Sequence, residues 1–213
     1  MKTEALIDLL ATGPLEVPKR PVARRFGLAL AASSLMAFTL MASWLGVRPD
    51  LGQVMLTPAM WMKLGFVLTA TAGALWTSVR LARPGLRLGA AWVALAAPFL
   101  VIWTLAAAQM STADPSDRRD LFFGLSWAGC PWCIAILALP ALVLSLWAMR
   151  GLAPTRLRLA GASAGLFSGG LAASVYTLHC PEMAAPFIGF WYVLGMLIPT
   201  AVGALVGPRV LRW

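Results

Sequence analysis

Six runs of about 20 predominantly apolar residues divide this chain, and each is long enough as a helix to cross the hydrocarbon of a bilayer. They cover roughly 26–47, 58–79, 88–109, 131–150, 159–179 and 186–206, with clusters of charge or of Gly and Pro between them. With 60% of the residues hydrophobic and 12% charged, a water-soluble fold has too little polar surface to cover the rest. The sequence therefore predicts an all-α integral membrane protein. Its six transmembrane helices are expected as three hairpins with both termini cytoplasmic: an arm and basic tether over 1–25, the membrane domain over 26–207 and a short tail over 208–213.

Orientation follows from the basic residues. Of the 17 Lys and Arg, all but Arg48, Lys63, Arg118 and Arg119 fall on the side that holds both termini, which is the positive-inside pattern of a cytoplasmic face. The net charge of +9 is explained by this topology and by contact with anionic lipid, so no direct nucleic-acid partner is inferred. Lys63 lies close enough to the outer end of the second span to snorkel outward. Trp44, Trp61, Trp127, Trp132 and Trp191 gather at the outer interface, and Trp76, Trp92, Trp147 and Trp213 at the inner one, as aromatic belts do. Residues 1–25 are polar and carry acids as well as bases, unlike a cleavable signal.

The spans carry almost no ionisable groups near mid-membrane, which argues against a transporter or proton pump. Pro98, Pro140 and Pro199 sit inside spans, where they are expected to kink helices. "LFSGGLAAS" concentrates small residues on the fifth span and permits close helix packing. The two Arg-rich inner turns, "VRLARPGLRLG" and "MRGLAPTRLRLAG", resemble each other, as short turns of multispan proteins often do.

Chemistry concentrates at the outer end. In "GCPWCIA", Pro131 suits the first position of a helix, so Cys130 closes the fourth span on the outer side. In "LHCPEM", Pro181 disfavours helix at Cys180, which closes the fifth span on the same side. Counting the helical rise from Arg150 and Arg158 puts Cys130 and Cys180 at heights of about 30 and 33 Å, with Cys133 about 4.5 Å deeper than Cys130. The short 151–157 turn makes the two helices antiparallel neighbours, so Cys130 and Cys180 are the natural pair. The helix dipole favours a thiolate at Cys130, with Cys180 as its resolving partner.

Other readings of these residues remain open. Cys133 fits plain packing. His179 with the three cysteines makes a possible Cys₃His set for a soft metal; transient capture of a thiophilic ion at Cys130 and Cys180 suits them better than permanent zinc, and no resident cofactor is implied. A membrane thiol-disulfide oxidoreductase or a thiol-based metal-binding or transport protein is the alternative class. Thiol relays to quinone usually use two cysteine pairs, whereas this chain has three cysteines.

The inner end begins with a short amphipathic stretch. Thr3 reads as an N-cap, Glu4 and Asp8 follow, and the helix stops at Gly13-Pro14. Leu6, Ile7, Leu9 and Leu10 give it an apolar side beside Asp8. About nine residues do not hold a helix alone in water, and the acids fit a protein partner better than lipid. "GPLEVPKRPVARR" then acts as a partly extended basic tether.

"LIDLLA" before a basic, proline-bearing tether, "GCPWC" in the fourth span, and the ending "LHCPEMAAPFIGFWYVLGMLIPTAVGALVGPRVLRW" closely resemble the NrsF family of membrane anti-sigma factors. The likeness covers nearly the whole chain, and the "HCPE…F…WY…G…LRW" ending is its most specific part. It implies a multi-pass protein of the bacterial inner membrane, not an enzyme. Such a protein sequesters an extracytoplasmic-function sigma factor and releases it under heavy-metal or oxidative stress. The family's two characteristic cysteines map onto Cys130 and Cys180, and Cys133 stands as an extra.

Overall fold

A computed structural model of the chain describes residues 3–12, 21–83, 85–86 and 88–212. Ten α-helices follow in order: α1 (Thr3–Thr12), α2 (Pro21–Trp44), α3 (Leu51–Val54), α4 (Pro58–Leu81), α5 (Ala91–Thr112), α6 (Arg118–Phe123), α7 (Cys130–Arg150), α8 (Leu157–Tyr176), α9 (Ala185–Phe187) and α10 (Val193–Val210). A π-helical turn, Ile188–Tyr192, joins α9 to α10. Among the described residues there is no strand, and six helical segments are long and apolar enough to cross a membrane: Ala23–Trp44, Pro58–Leu81, Ala91–Thr112, Cys130–Arg150, Leu157–Tyr176 and Ala185–Val210.

Helix α8 is the hub, packed on α10, α4 and α7, while α2 lies along α7 and α5 along α4. The small residues of α8 explain its position. A Cβ added at Gly161 would overlap the carbonyl of Gly203, and one at Gly165 the carbonyl of Pro199, so α8 and α10 meet backbone to backbone. Between bilayer helices no hydrophobic gain is available, and such close packing is what holds them together. Gly170 performs the same service towards Thr71 of α4. Of the three expected hairpins only α8/α10 is extensively packed, and α7/α8 meet as the short 151–157 turn implies; α5 packs on α4 rather than on α7, and α2 finds its main partner in α7 rather than in α4.

Several boundaries differ from the sequence reading. α2 begins at Pro21, five residues before the apolar run, because proline fits the first helical turn; part of the expected extended tether is therefore helix. Cys130 is already within α7, with Gly129 as its cap residue. Pro98, Pro140 and Pro199 lie inside α5, α7 and α10, all of which continue through them. Trp44, Trp61, Trp76, Trp92, Trp127, Trp132 and Trp147 are exposed on the helix bundle, as lipid-facing anchors should be.

The end that carries the cysteines is closed by short elements absent from the apolar pattern. The segment from α6 to α7 is fastened to the π turn by an aromatic cluster of Phe122, Phe123, Trp127, Phe190 and Trp191. The Trp191 indole N–H also donates to the Phe122 carbonyl at 2.8 Å. The π turn widens the helix by one residue and turns Tyr192 fully inward. Its Gly189 carbonyl accepts from the Trp103 indole at 2.9 Å, and the Gln109 side chain accepts from Ala185 N–H at 2.9 Å.

Candidate functional site

Cys180 follows the last turn of α8, where its N–H still bonds to the Tyr176 carbonyl at 3.0 Å. Pro181 then ends the helical path, since it has no N–H and restricts the residue before it. Cys130 opens α7 from the other direction, its N–H on the Ser126 carbonyl at 3.0 Å. The two thiols are free, fully buried and hydrogen-bonded to one another. Cys133, one turn further along α7, bonds instead to the Tyr176 hydroxyl.

His179 turns away from the thiols. Its Nδ1 lies 2.9 Å from the Gly46 carbonyl and its ring packs against Tyr176, so it pins the α2–α3 loop. Among the described residues no three His, Cys, Asp or Glu side chains are grouped to hold a metal ion. The Cys₃His arrangement considered from sequence is therefore not assembled, for the reason visible in the chain: adjacent residues 179 and 180 point to different neighbours. Of that set, Cys130 and Cys180 lie side by side.

The sequence reading of Lys63 requires correction. It does not reach for the interface but is completely buried between α4 and the 177–184 turn. Its ammonium donates to the carbonyls of Cys180 at 3.1 Å and Glu182 at 2.8 Å and stands 4.8 Å from the Tyr192 ring centre. The cause lies in the backbone: the end of α8 leaves carbonyls without partners, and a cation is the natural cap for them. A second cation shares the task, because Arg48 donates to the Cys180 carbonyl at 3.2 Å. Both lone pairs of that oxygen are then used. Arg48 is itself clamped by Asp50 through two bonds of 2.7 and 2.8 Å, which raises the arginine and holds the Asp50 carboxyl below its usual range.

Over the thiols lies the 124–129 segment, tied down by Glu182. The Glu182 carboxylate accepts from Leu125 N–H at 2.7 Å and from the Ser126 hydroxyl at 3.4 Å, and that hydroxyl is 4.0 Å from the Cys180 sulfur. Gly124 makes the fit possible, with φ at +55° and the Glu182 carboxylate where a Cβ would stand. Gly124→Ala is therefore expected to destabilise the protein by about 1–3 kcal/mol and to speed alkylation of Cys180. Thermal unfolding and mass-spectrometric labelling would detect the two effects.

The electrostatics of the pair also differ from the dipole expectation. The Cys180 thiol, not that of Cys130, is the one favoured as thiolate, pulled down to about 5 chiefly by the hydrogen bond that Cys130 donates, with Lys63 adding to it. The Tyr192 hydroxyl lies against the same sulfur and, fully buried, has no hydrogen-bond partner of good geometry. Lys63, Arg48 and Glu182 are the parts of this site that sequence reading missed.

These features define a six-span helical membrane protein with one closed dithiol cluster at a single end of its bundle. The chain belongs to the NrsF family, described as negative regulator of sigma F, whose pattern matches residues 10–213. It is 49% identical over its full length to the full-length probable anti-sigma-F factor NrsF of Azospira oryzae, and 40% identical, again over both full lengths, to the anti-sigma-F factor NrsF of Caulobacter vibrioides. No solved structure matches it. The family is one of regulators, so the oxidoreductase alternative falls away.

Proposed function

We propose that this protein is an inner-membrane anti-sigma factor, with both termini cytoplasmic, that holds an extracytoplasmic-function sigma factor and releases it when Cys130 and Cys180 are oxidised or capture a thiophilic metal. The observation that carries the sensor role is the meeting of these two buried thiols at the tips of neighbouring helices α7 and α8. A thiolate that shares a proton with a second thiol is prepared for both disulfide formation and soft-metal binding. Turnover is not required of such a site.

A path to the opposite end also supports this reading. α2 packs along α7, and the Arg25 guanidinium of α2 covers Gly151 just beyond the end of α7. α1 precedes α2 in the chain and presents Ile7 and Asp8 to solvent; the side chains of Leu6, Leu9 and Leu10 lie outside the described residues. In the proposed mechanism a change at the thiols moves α7 against α8, α2 follows, and α1 loses its grip. The stimulus acts through its different affinity for the two arrangements, and reversing a 99:1 preference takes about 5.5 kcal/mol.

Pull-down of the sigma factor from membranes, with and without oxidative stress, tests the proposal. Wild type should yield the sigma factor only without stress, and Cys130→Ser should yield it in both conditions. Recovery of no sigma factor from either would remove the proposed function.

A further inference from the structure

We propose that Arg25, Trp147 and Arg150 form a binding site for the phosphate of an anionic phospholipid, set where α2 meets α7 at the end of the bundle opposite the thiols. In the orientation proposed above this is the cytoplasmic leaflet, and the site is independent of any sensing role for the cysteines.

Local geometry builds the site from two helices. Trp147 and Arg150 stand three residues apart on α7, so the indole and the guanidinium share one helix face at its last turn. Arg25 comes from the first turns of α2, and its guanidinium fills the place where a Cβ on residue 151 would stand. Glycine at 151 is what lets α2 lay its cation over the end of α7. Arg25, Trp147, Arg150 and Gly151 together line a recess of about 290 Å³.

The charges in this recess call for an anion. Each guanidinium carries five N–H donors, yet among the described residues neither Arg25 nor Arg150 has a hydrogen-bond acceptor or an ion-pair partner. The membrane domain supplies none from its own sequence: beyond residue 20 its acids are Asp50, Asp114, Asp117, Asp120 and Glu182, all in the segments at the thiol end. Two cations that share a recess repel each other, and a phosphate between them replaces that repulsion by two attractions. The guanidinium fork also matches phosphate oxygens two at a time. Two observations favour a lipid as the source of the phosphate. Both arginines stand at span ends, the height of headgroups, since Arg25 is two residues into Ala23–Trp44 and Arg150 closes Cys130–Arg150. Trp147, about one turn deeper, is 59% exposed and gives the recess an apolar wall that continues into the lipid. Basic recesses between spans at this height are where anionic headgroups bind. A lipid held there ties the start of α2, which α1 precedes, to the end of α7.

The test uses full-length protein in a neutral detergent, stripped of lipid, with phosphatidylglycerol, phosphatidylcholine or inorganic phosphate added in turn. Native mass spectrometry should show one phosphatidylglycerol retained about tenfold more tightly than phosphatidylcholine, with inorganic phosphate displacing little of it at equal concentration. Arg25→Gln and Arg150→Gln should each weaken retention about tenfold, the size expected of a charge-assisted hydrogen bond. Arg158→Gln, at an exposed arginine of the same end outside the recess, should leave it unchanged. Gly151→Ala separates a built site from a basic surface, because it keeps every charge. Its methyl meets only the flexible end of the Arg25 side chain, so the melting temperature without lipid should hold while retention falls as it does in Arg25→Gln. Wild-type retention in Gly151→Ala, or an equal loss in Arg158→Gln, would overturn the proposal. So would inorganic phosphate held as tightly as the lipid. Loss of sigma-factor capture in Arg25→Gln with lipid retention intact would likewise overturn it and assign the recess to an acidic group of that partner.

Discussion

Gly165→Leu is expected to be the most damaging single substitution in the bundle, costing about 3 kcal/mol or more and in practice preventing a stable fold. The added Cβ alone would overlap the Pro199 carbonyl and crowd the Cα of Thr200, and these are backbone atoms of α10 that cannot rotate aside. α8 would have to leave α10, and because α8 also carries α4 and α7, the whole arrangement of the thiol end goes with it. Gly27→Ala provides the contrast. Nothing stands within 4 Å of its Cβ position in α2, so the same kind of change should gain about 0.5–1 kcal/mol through the lower entropy of the unfolded chain. Thermal unfolding of both variants in one detergent decides the matter; equal melting temperatures would mean that the α8–α10 contact is not what organises the bundle.

Deleting residues 3–12 should have an effect of comparable size on binding: capture of the sigma factor falls by about 100-fold or more, equivalent to about 2.7 kcal/mol, while membrane insertion and the melting temperature stay as they were. The reason is that, among the described residues, α1 shows no extensive contact with the spans and exposes Ile7, so its removal takes a docking helix and leaves the bundle alone. Titration of the purified sigma factor against wild-type and truncated protein reads the loss. Unchanged affinity would transfer the binding role to the loops beside Arg80, Arg150 and Arg209.

Length and hydropathy made the six spans legible because a bilayer imposes about 20 apolar residues on any helix that crosses it. The Cys-Pro corners were equally legible, since proline at 131 and 181 dictates where helices begin and end whatever surrounds them. What each span faces was not. Lipid is as apolar as a protein interior, so α7 and α10 show almost no amphipathic contrast and the partner of α2 had no signal. Lys63 did leave a trace: Met60, Val67, Ala70 and Ala74, all buried, share its helical face at spacings of three, four, seven and eleven. A lysine on that stripe points inward, and an intramembrane cation is by default a functional group. The snorkelling reading weighed only its depth. The dipole at Cys130 is overridden for a related reason: the hydrogen bond between the two thiols, with the charge of Lys63 adding to it, outweighs the partial charge of a helix end. Glu182 and Arg48 act through loop geometry between distant segments, for which periodicity offers no guide. His179 looked like a ligand beside Cys180, yet consecutive residues at a helix end diverge.

The most direct measurement follows the Cys130–Cys180 disulfide and the membrane-bound sigma factor together, by mass spectrometry, as peroxide is added to membranes and then removed with dithiothreitol. Sigma factor should leave in proportion to the disulfide formed and return as it is reduced, with Cys133 unmodified throughout. Release while Cys130 and Cys180 stay reduced, or full retention once they are joined, would contradict a switch built on these two sulfurs.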